Sequence, residues 1–510
     1  MAPSRRGFAR KLWRLADLVQ AAERRRSFRA KAYRQAIWSL DRLDPELDVS
    51  QEELLATPGI GPGVAALVTE YRATGTFNQL IPLESALPLD TPRLRRLPRM
   101  TPKILHEMKT GLGIETVDDL AAAIETGAAA TLPGAGAQTL ELWRRILDLR
   151  PGPDAVPAHQ AWVTAIALAN HFEAHTGSRV EVAGAVRRVE EWVDQIDLVA
   201  ATDDPRGLSV FLTTTAVLAE EVVEEGLVAR SRSHAGIRVA IHLAEPEEKA
   251  DTMTRITGVF PPEGVVSVPD LKGDLHLHSD LSPDGRMSLT TILELARGRG
   301  YQYVLISDHT QGLRFGGLDP DGIRAQAEMI DAVRPLFPEI RVFHGAELNI
   351  GPDGLLDLPE ETLSILDFAV AGVHSYFSLD GDTQTARVLA ALTHPVVRVL
   401  AHPFGRRIGI RPALDIDMSR VIEAAVEHGV ALETNGHRDR LDLGAEWIRI
   451  AAKAGAIFAA DSDAHRVDEI PNIENAVATL QRAGIPASRV VNTWPLEEFV
   501  GWVGGGEGGI

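Results

Sequence analysis

The run Asp274-Leu275-His276-Leu277-His278-Ser279 alternates apolar residues with two histidines spaced two apart. On a strand, residues i and i+2 face the same side, so two imidazoles placed this way can grip one cation. Outward from this run, short apolar stretches at 271–277, 303–306, 340–343, 368–373, 397–400, 430–432 and 456–460 alternate with amphipathic helical segments. That alternation predicts a parallel α/β sheet or barrel, whose C-terminal strand ends converge on one face. Nearly every stretch ends in His, Asp or Glu.

Those endings supply a candidate ligand set. After His276 and His278 come Asp284 in Pro-Asp-Gly, His309 in Ser-Asp-His and Glu347 in Gly-Ala-Glu. His374 in Val-His-Ser, His402 in Ala-His-Pro, and Asp463 with His465 in Ser-Asp-Ala-His complete it. Nine nitrogen and oxygen donors exceed the needs of one ion, so two or three divalent metal ions are expected, with Mn, Zn or Fe suited to the donors. Neighbouring ions lower the pKa of bound water and clamp the oxygens of a phosphoryl group. A single histidine such as His402 is more often structural, and Asp284 before Gly285 is ordinarily a turn residue. Two tight pairs plus five strand-end singles are not accounted for that way. Asp308 is read as a support that orients a ligand. His344, His394 and His437 fall off the pattern.

A chain of 510 residues, 45% apolar, can bury several cores. No stretch approaches the roughly 18 to 20 apolar residues of a membrane span. The arginine-rich start lacks the apolar segment of a secretory signal. Cysteine is absent, which excludes disulfides and thiolate sites and fits a cytoplasmic setting. The net charge of −19 argues against a broad basic surface, but eleven Lys and Arg residues crowd between Arg5 and Arg34. A basic head on an acidic body predicts DNA contact at the front and carboxylate chemistry at the back.

The first 150 residues read as helical, broken by Gly/Pro turns. Thr57-Pro58-Gly59-Ile60-Gly61-Pro62-Gly63 looks like a helix-hairpin-helix turn, and Leu132-Pro133-Gly134-Ala135-Gly136 like a second. Such turns offer backbone N–H groups to a DNA phosphate, which makes Gly59, Gly61, Gly63, Gly134 and Gly136 candidate DNA-binding residues. A plain helix connection is the alternative. The stretch Met100-Thr101-Pro102-Lys103, followed by Gly111-Leu112-Gly113-Ile114, is a weaker relative. Past a linker at 150–154, a helix at 161–176 precedes strand-like runs at 179–183, 197–201 and 237–243.

The histidine and carboxylate motifs resemble the polymerase and histidinol phosphatase (PHP) family over about 235 residues, with every ligand position filled in order. The resemblance implies a distorted (β/α)7 barrel, a trinuclear metal centre and phosphoester hydrolysis. Arg406, in His402-Pro403-Phe404-Gly405-Arg406, falls in a segment that the family keeps near its site; a phosphate contact and a surface salt bridge are both open to it. The order of the domains resembles the bacterial family X DNA polymerases. Ala32-Tyr33-Arg34-Gln35-Ala36 and Asp270-Leu271-Lys272-Gly273-Asp274 are similar to family segments. This implies a multidomain α plus α/β chain. Residues 1–80 would form a helical lyase-like domain with a helix-hairpin-helix, and 81–152 a second such region. Residues 156–262 would form a degenerate nucleotidyltransferase palm without a thumb, and 270–503 the PHP domain.

The palm departs from the family where its chemistry needs agreement. Gly184-Ala185 lacks the family's serine, though Arg187-Arg188 remain. The Asp-x-Asp position reads Gln195-Ile196-Asp197, and the third carboxylate position reads Ala240. An amide cannot replace a carboxylate that bridges two divalent cations. The first hairpin also lacks a lyase lysine, Lys31 being the nearest substitute. The expected activity is therefore metal-dependent phosphoester hydrolysis on DNA ends, gaps or single strands, as a 3′-5′ exonuclease in DNA repair, with polymerase activity lost and no membrane partner. A histidinol-phosphate-like phosphatase, a non-catalytic DNA scaffold and a retained family X polymerase are the competing readings.

Overall fold

Residues 4–23, 27–152, 154–313 and 316–505 are described by the structure, a computed structural model; Arg24, Arg25, Arg26 and Pro153 lie outside them. The chain forms two units, residues 1–258 with 409–412 and residues 259–408 with 413–510. Among the described residues, no helix is long and apolar enough to cross a membrane.

The first unit opens on helix Arg5–Ala22, capped by Ser4, which accepts the Gly7 N–H. Its spacing of three and four turns Phe8, Leu12, Leu15 and Val19 inward. Phe8 meets Tyr71 and Phe77 edge-on, each at 5.5 Å between centroids, which ties this helix to the segment around the first hairpin. One apolar core continues from Phe8 through Leu67 and Met108 to Trp143. The border expected near residue 80 therefore does not separate one core from another, because the helices on both sides bury their apolar stripes together. Arg5 belongs to the basic head by sequence, yet it is buried and pairs with Asp41, Nε to Oδ1 at 3.1 Å. Asp41 also holds His171 at 2.7 Å and the Ala216 N–H at 2.6 Å. This arginine fastens the helical region to the sheet region instead of offering its charge to DNA.

That sheet region packs helix Ala158–Thr176 on five strands in the order Arg179–Ala183, Gln195–Ala201, Arg238–Ala244, Val228–Arg232 and Val223–Glu225. Only Gln195–Ala201 and Arg238–Ala244 run parallel. Helix Lys249–Thr257, which no motif announced, lays Met253 and Ile256 on Ala183, Val199 and Ala244.

In the second unit, strands Gly273–Leu277, Tyr303–Ile306 and Arg341–His344 make a three-stranded parallel sheet. Glu347–Asn349, Ala369–Gly372, Val397–Leu400, Ala431–Asn435 and Phe458–Asp461 make a five-stranded one. Gly345 and Ala346 break one run, so its two halves pair with different sheets. A Cβ on Gly345 would stand 2.6 Å from the Phe368 carbonyl oxygen, so the crossing requires glycine. Parallel bridges from Leu277 to Ala464 and from His309 to Glu347 join the two sheets. The helices between strands are amphipathic: Met418–Glu427 buries Met418, Val421, Ile422 and Ala425, and Asp417 caps it.

Opposite the strand ends that carry the histidines, helix Leu496–Val503 seals the sheets with aromatic rings. Phe499 stacks on Tyr303 at 4.2 Å and 16°, and Trp502 donates its indole N–H to the Gly429 carbonyl at 2.9 Å. Phe499→Ala deletes a fully buried ring. It should cost about 3–5 kcal/mol and lower the denaturant midpoint of the metal-free protein. An unchanged midpoint would show that the seal adds nothing to stability.

Candidate metal centre

His276 sits inside strand Gly273–Leu277, with His278 just beyond it. His309, His374, His402 and Asp463 each follow the end of a different strand, and Glu347 opens strand Glu347–Asn349. Glu347 is the hub. Its Oε2 lies 2.8 Å from His309 Nδ1, 3.3 Å from His276 Nε2 and 3.6 Å from His278 Nε2. Its Oε1 lies 2.8 Å from His374 Nε2 and 2.9 Å from His402 Nε2. Asp463 Oδ1 forms a second focus, 3.4 Å from His278, 3.6 Å from His276 and 3.8 Å from His465. Asp284 is outermost, its side chain 40% exposed and Oδ2 3.4 Å from His465 and 3.7 Å from His309. All nine residues singled out from the sequence are thus brought together. Three donor groups have their ligand atoms within 4.8 Å of one another: His276, His278 and Asp463; His278, His309 and His465; His309, Glu347 and His374.

The donors suit divalent cations. His276 Nε2, both ring nitrogens of His278, His374 Nδ1, His402 Nδ1 and Glu347 Oε2 are buried without a hydrogen-bond partner. Polar atoms left this way are costly unless something else satisfies them, and imidazole with carboxylate is the donor chemistry of Zn, Mn and Fe sites. Charge is balanced among the ligand candidates, with Arg440 and Glu433 beside them. Against the penalty of burial, the imidazoles of His374, His309 and His276 hold Glu347 well below the usual carboxylate range. His276, His278 and Arg440 do the same for Asp463. Burial opposes protonation of His465, but Asp284 and Asp463 raise it to about 9. Burial lowers His402 to about 4. Burial, then His465 and His309, lowers His278 well below its ordinary value. Two of the positions carry unusual backbone, with φ of 27° at His402 and 53° at Asp463. Strained torsions of this kind cluster at functional sites.

Two residues escaped the sequence reading. Glu433 is fully buried on strand Ala431–Asn435. It receives His276 Nδ1 at 2.6 Å and the His402 N–H, which turns His276 Nε2 toward Glu347. An acid inside an all-buried strand was the available signal, but the apolar run stopped at 432. Arg440 places Nε 3.3 Å from Asp463 Oδ2, and its buried Nη1 has no hydrogen-bond partner. The phosphate contact considered for Arg406 needs correcting. Arg406 donates Nε to the Arg440 carbonyl at 3.1 Å and Nη2 to that of Leu441, so its guanidinium braces the loop that presents Arg440. Asp308 accepts the Ser279 N–H and hydroxyl, each at 2.6 Å, and so fixes the chain just after His278. His344 and His394 bond elsewhere, to Ile365 and Glu360, whereas His437 lines the mouth with Arg407, Arg440 and Arg466. That mouth encloses about 290 Å³.

In the first unit, the two glycine turns have matching backbones. Gly59 and Gly134 take φ of 90° and 84°, and Gly61 and Gly136 stand at the N-caps of helices Pro62–Thr74 and Ala137–Asp148. No atom comes within 4 Å of a Cβ placed on Gly61, Gly63, Gly134 or Gly136, so these turns are open to a ligand. The third, weaker motif forms helix Pro102–Leu112 with Gly113 as its left-handed cap. On the sheet, Asp197 stands beside Ala240 in parallel register. Asp197 receives the Gln195 amide at 2.8 Å and His242 Nε2 at 3.0 Å. A Cβ on Gly184 would lie 2.5 Å from Asp197 Oδ2.

Residues 4–77 match the family model of a helix-hairpin-helix domain. The DNA polymerase/3′-5′ exonuclease PolX of Bacillus subtilis (strain 168) is 27% identical, over 92% of this chain and 94% of that protein. A probable phosphatase of Caldanaerobacter subterraneus subsp. tengcongensis is 30% identical, over 43% of this chain and 86% of that protein. A crystal structure of histidinol phosphate phosphatase from Lactococcus lactis subsp. lactis Il1403, complexed with zinc, L-histidinol and phosphate, is 18% identical. It covers 42% of this chain and 94% of its own, with a TM-score of 0.33. The chain is thus similar to a PolX along nearly its whole length, and over its C-terminal region it belongs to the family of the probable phosphatases.

Proposed function

We propose that the second unit is a distorted (β/α)7 PHP barrel that hydrolyses DNA phosphodiesters as a 3′-5′ exonuclease in repair, and that the palm no longer polymerises. The observation that carries this reading is the buried convergence of unsatisfied imidazole nitrogens and carboxylate oxygens around Glu347 and Asp463. The nine residues from His276 to His465 would hold two or three ions of Mn, Zn or Fe. Bound there, such ions supply activated water and neutralise charge developing on phosphoryl oxygens.

The chain's own residues do the rest. Glu433 fixes the ring of His276, and Asn435 donates to Asp463 Oδ2 at 3.0 Å, so the donors are oriented before anything binds. Arg440, fastened to Asp463 with one N–H group free, would meet a substrate phosphate at the mouth. Arg407, His437 and Arg466 line the way in and would favour an anionic strand. The two open glycine turns, on residues 1–80 as a lyase-like domain and 81–152 beyond it, would hold DNA by its backbone through Gly59, Gly61, Gly63, Gly134 and Gly136. The loss of polymerase activity is supported by the sheet of residues 156–262, where Asp197 has Gln195 and Ala240 for neighbours instead of two acids. The phosphatase relatives support one second reading, hydrolysis of a small phosphomonoester.

End-labelled single-stranded and gapped DNA, incubated with Mn²⁺ with or without dNTPs, separates these readings. Stepwise shortening from the 3′ end is expected. Extension would overturn the account of the palm, and phosphate release from histidinol phosphate alone would favour the second reading. His276→Ala with His278→Ala should abolish hydrolysis and leave DNA binding intact; retained hydrolysis would remove the cluster from the reaction. Arg440→Ala should lower kcat/KM about 10- to 100-fold at unchanged metal content, with Arg440→Lys in between. An equal loss in metal content would mean that Arg440 serves the ligands only. Because His465 stays protonated up to about 9 and must lose its proton to offer a lone pair, Mn²⁺ affinity should climb with pH until about 9 and then level off. Calorimetry in buffers of different ionisation heat should register protons released on binding; a flat affinity and no release would contradict this.

A further inference from the structure

The mouth of the metal centre holds a histidine paired with an aspartate, neither of them among the nine ligand candidates. Both lie on the loop that follows strand Ala431–Asn435. His437 Nδ1 meets Asp439 Oδ1 at 2.6 Å, and the other oxygen of Asp439 accepts Arg407 Nε at 2.7 Å. Asp439 is buried, its side chain 7% exposed, whereas that of His437 is 34% exposed and borders the opening. Against the penalty of burial, His437 and Arg407 hold Asp439 below the usual carboxylate range. A carboxylate kept ionised and fixed through both oxygens sets the orientation of the imidazole bonded to it. Nδ1 is therefore spent inward. Nε2 has no hydrogen-bond partner among the described residues.

The loop is tied to the metal-ligand candidates at two points. Asn435 accepts the His437 N–H at 3.0 Å on its side-chain oxygen and donates its amide to Asp463 at 3.0 Å. The Arg440 N–H returns to the His437 carbonyl at 2.8 Å, and the Arg440 side chain reaches Asp463. One turn thus carries an imidazole and a guanidinium to the same opening.

Cleaving a phosphodiester takes more than an activated water, because the departing 3′ oxygen leaves as a basic alkoxide unless a proton reaches it. The groups at the mouth differ in what they can offer. Arg407, Arg440 and Arg466 keep their protons. Asp284, Asp463 and His465 belong to the ligand set. Glu469 is engaged by the His465 N–H at 2.9 Å and by Arg466 at 2.6 Å. His437 remains, and imidazole exchanges protons near neutral pH.

We propose that His437 is the general acid of this hydrolysis and Asp439 the residue that positions it, an inference that rests on the exonuclease reading above. Water adds to phosphorus and gives a proton to solvent. The bond to the 3′ oxygen breaks, its electron pair stays on that oxygen, and the oxygen takes the Nε2 proton. Solvent returns a proton to the ring, so the products are a free 3′-hydroxyl and a 5′-phosphorylated nucleotide.

Oligonucleotides with sulfur in place of the 3′ bridging oxygen at the terminal linkage test this, because a thiolate departs without needing a proton. With Mn²⁺, His437→Gln should lower kcat about 100-fold on the all-oxygen strand and less than about threefold on the sulfur strand. Asp439→Asn should show the same selective loss in smaller measure. Mn²⁺ content, and affinity for the uncut strand measured by fluorescence anisotropy without divalent cations, should match the unaltered protein in both variants. No loss on either strand, equal losses on the two, or a loss matched by weaker DNA binding would overturn the proposal and leave the exonuclease reading standing. If the unaltered protein shortens neither strand, both fall together.

Discussion

A carboxylate buried away from water stays ionised only beside positive or polarisable partners, and the second unit is organised around meeting that condition at Glu347. Five imidazoles from four strands surround it within 3.6 Å. None of these contacts is local in sequence. Each depends on the parallel strands keeping their register, so the sheet must be assembled before the charges can balance. Glu433 repeats the arrangement one layer out, beneath His276 and His402. Breaking either acid would leave several imidazoles without their counter-charge, which couples the fold tightly to the site.

Much of this was legible because strand geometry has a period of two. His276 with His278 and Asp463 with His465 announce shared faces by spacing alone. The strand ends were equally readable, since an apolar run closed by His or Glu sets a polar group at the strand tip, where a packed core has no use for one. Glu433 stayed hidden for the opposite reason. A strand buried on both faces shows no alternation, so its one acid looked like the end of the run. Arg406 and Arg440 mark another boundary of sequence reasoning. Proximity to a motif says nothing about where a long side chain turns its guanidinium: Arg406 faces backbone carbonyls of the loop, and it is Arg440 that reaches Asp463. The Arg5, Asp41 and His171 cluster was invisible too, since Asp41 lies 36 positions from Arg5 and 130 from His171.

The two units use charge differently. In the second, acids and imidazoles face one another in a largely buried cluster. In the first, Asp197 has a neutral amide and a methyl group at the neighbouring positions, and its remaining partner is His242. A lone carboxylate bonded in this way has little left to offer a pair of cations. Met253 and Ile256 pack on Ala183, Val199 and Ala244 of this sheet.

Helix Leu496–Val503 comes after every metal-ligand candidate in the chain, yet its Phe499 and Trp502 close the far end of the strands that bear them. During translation, then, the histidines leave the ribosome before the aromatic stopper does. The nascent domain would remain an unsealed array of strands, unable to set its ligand register, until the last turns of helix had cleared the exit tunnel.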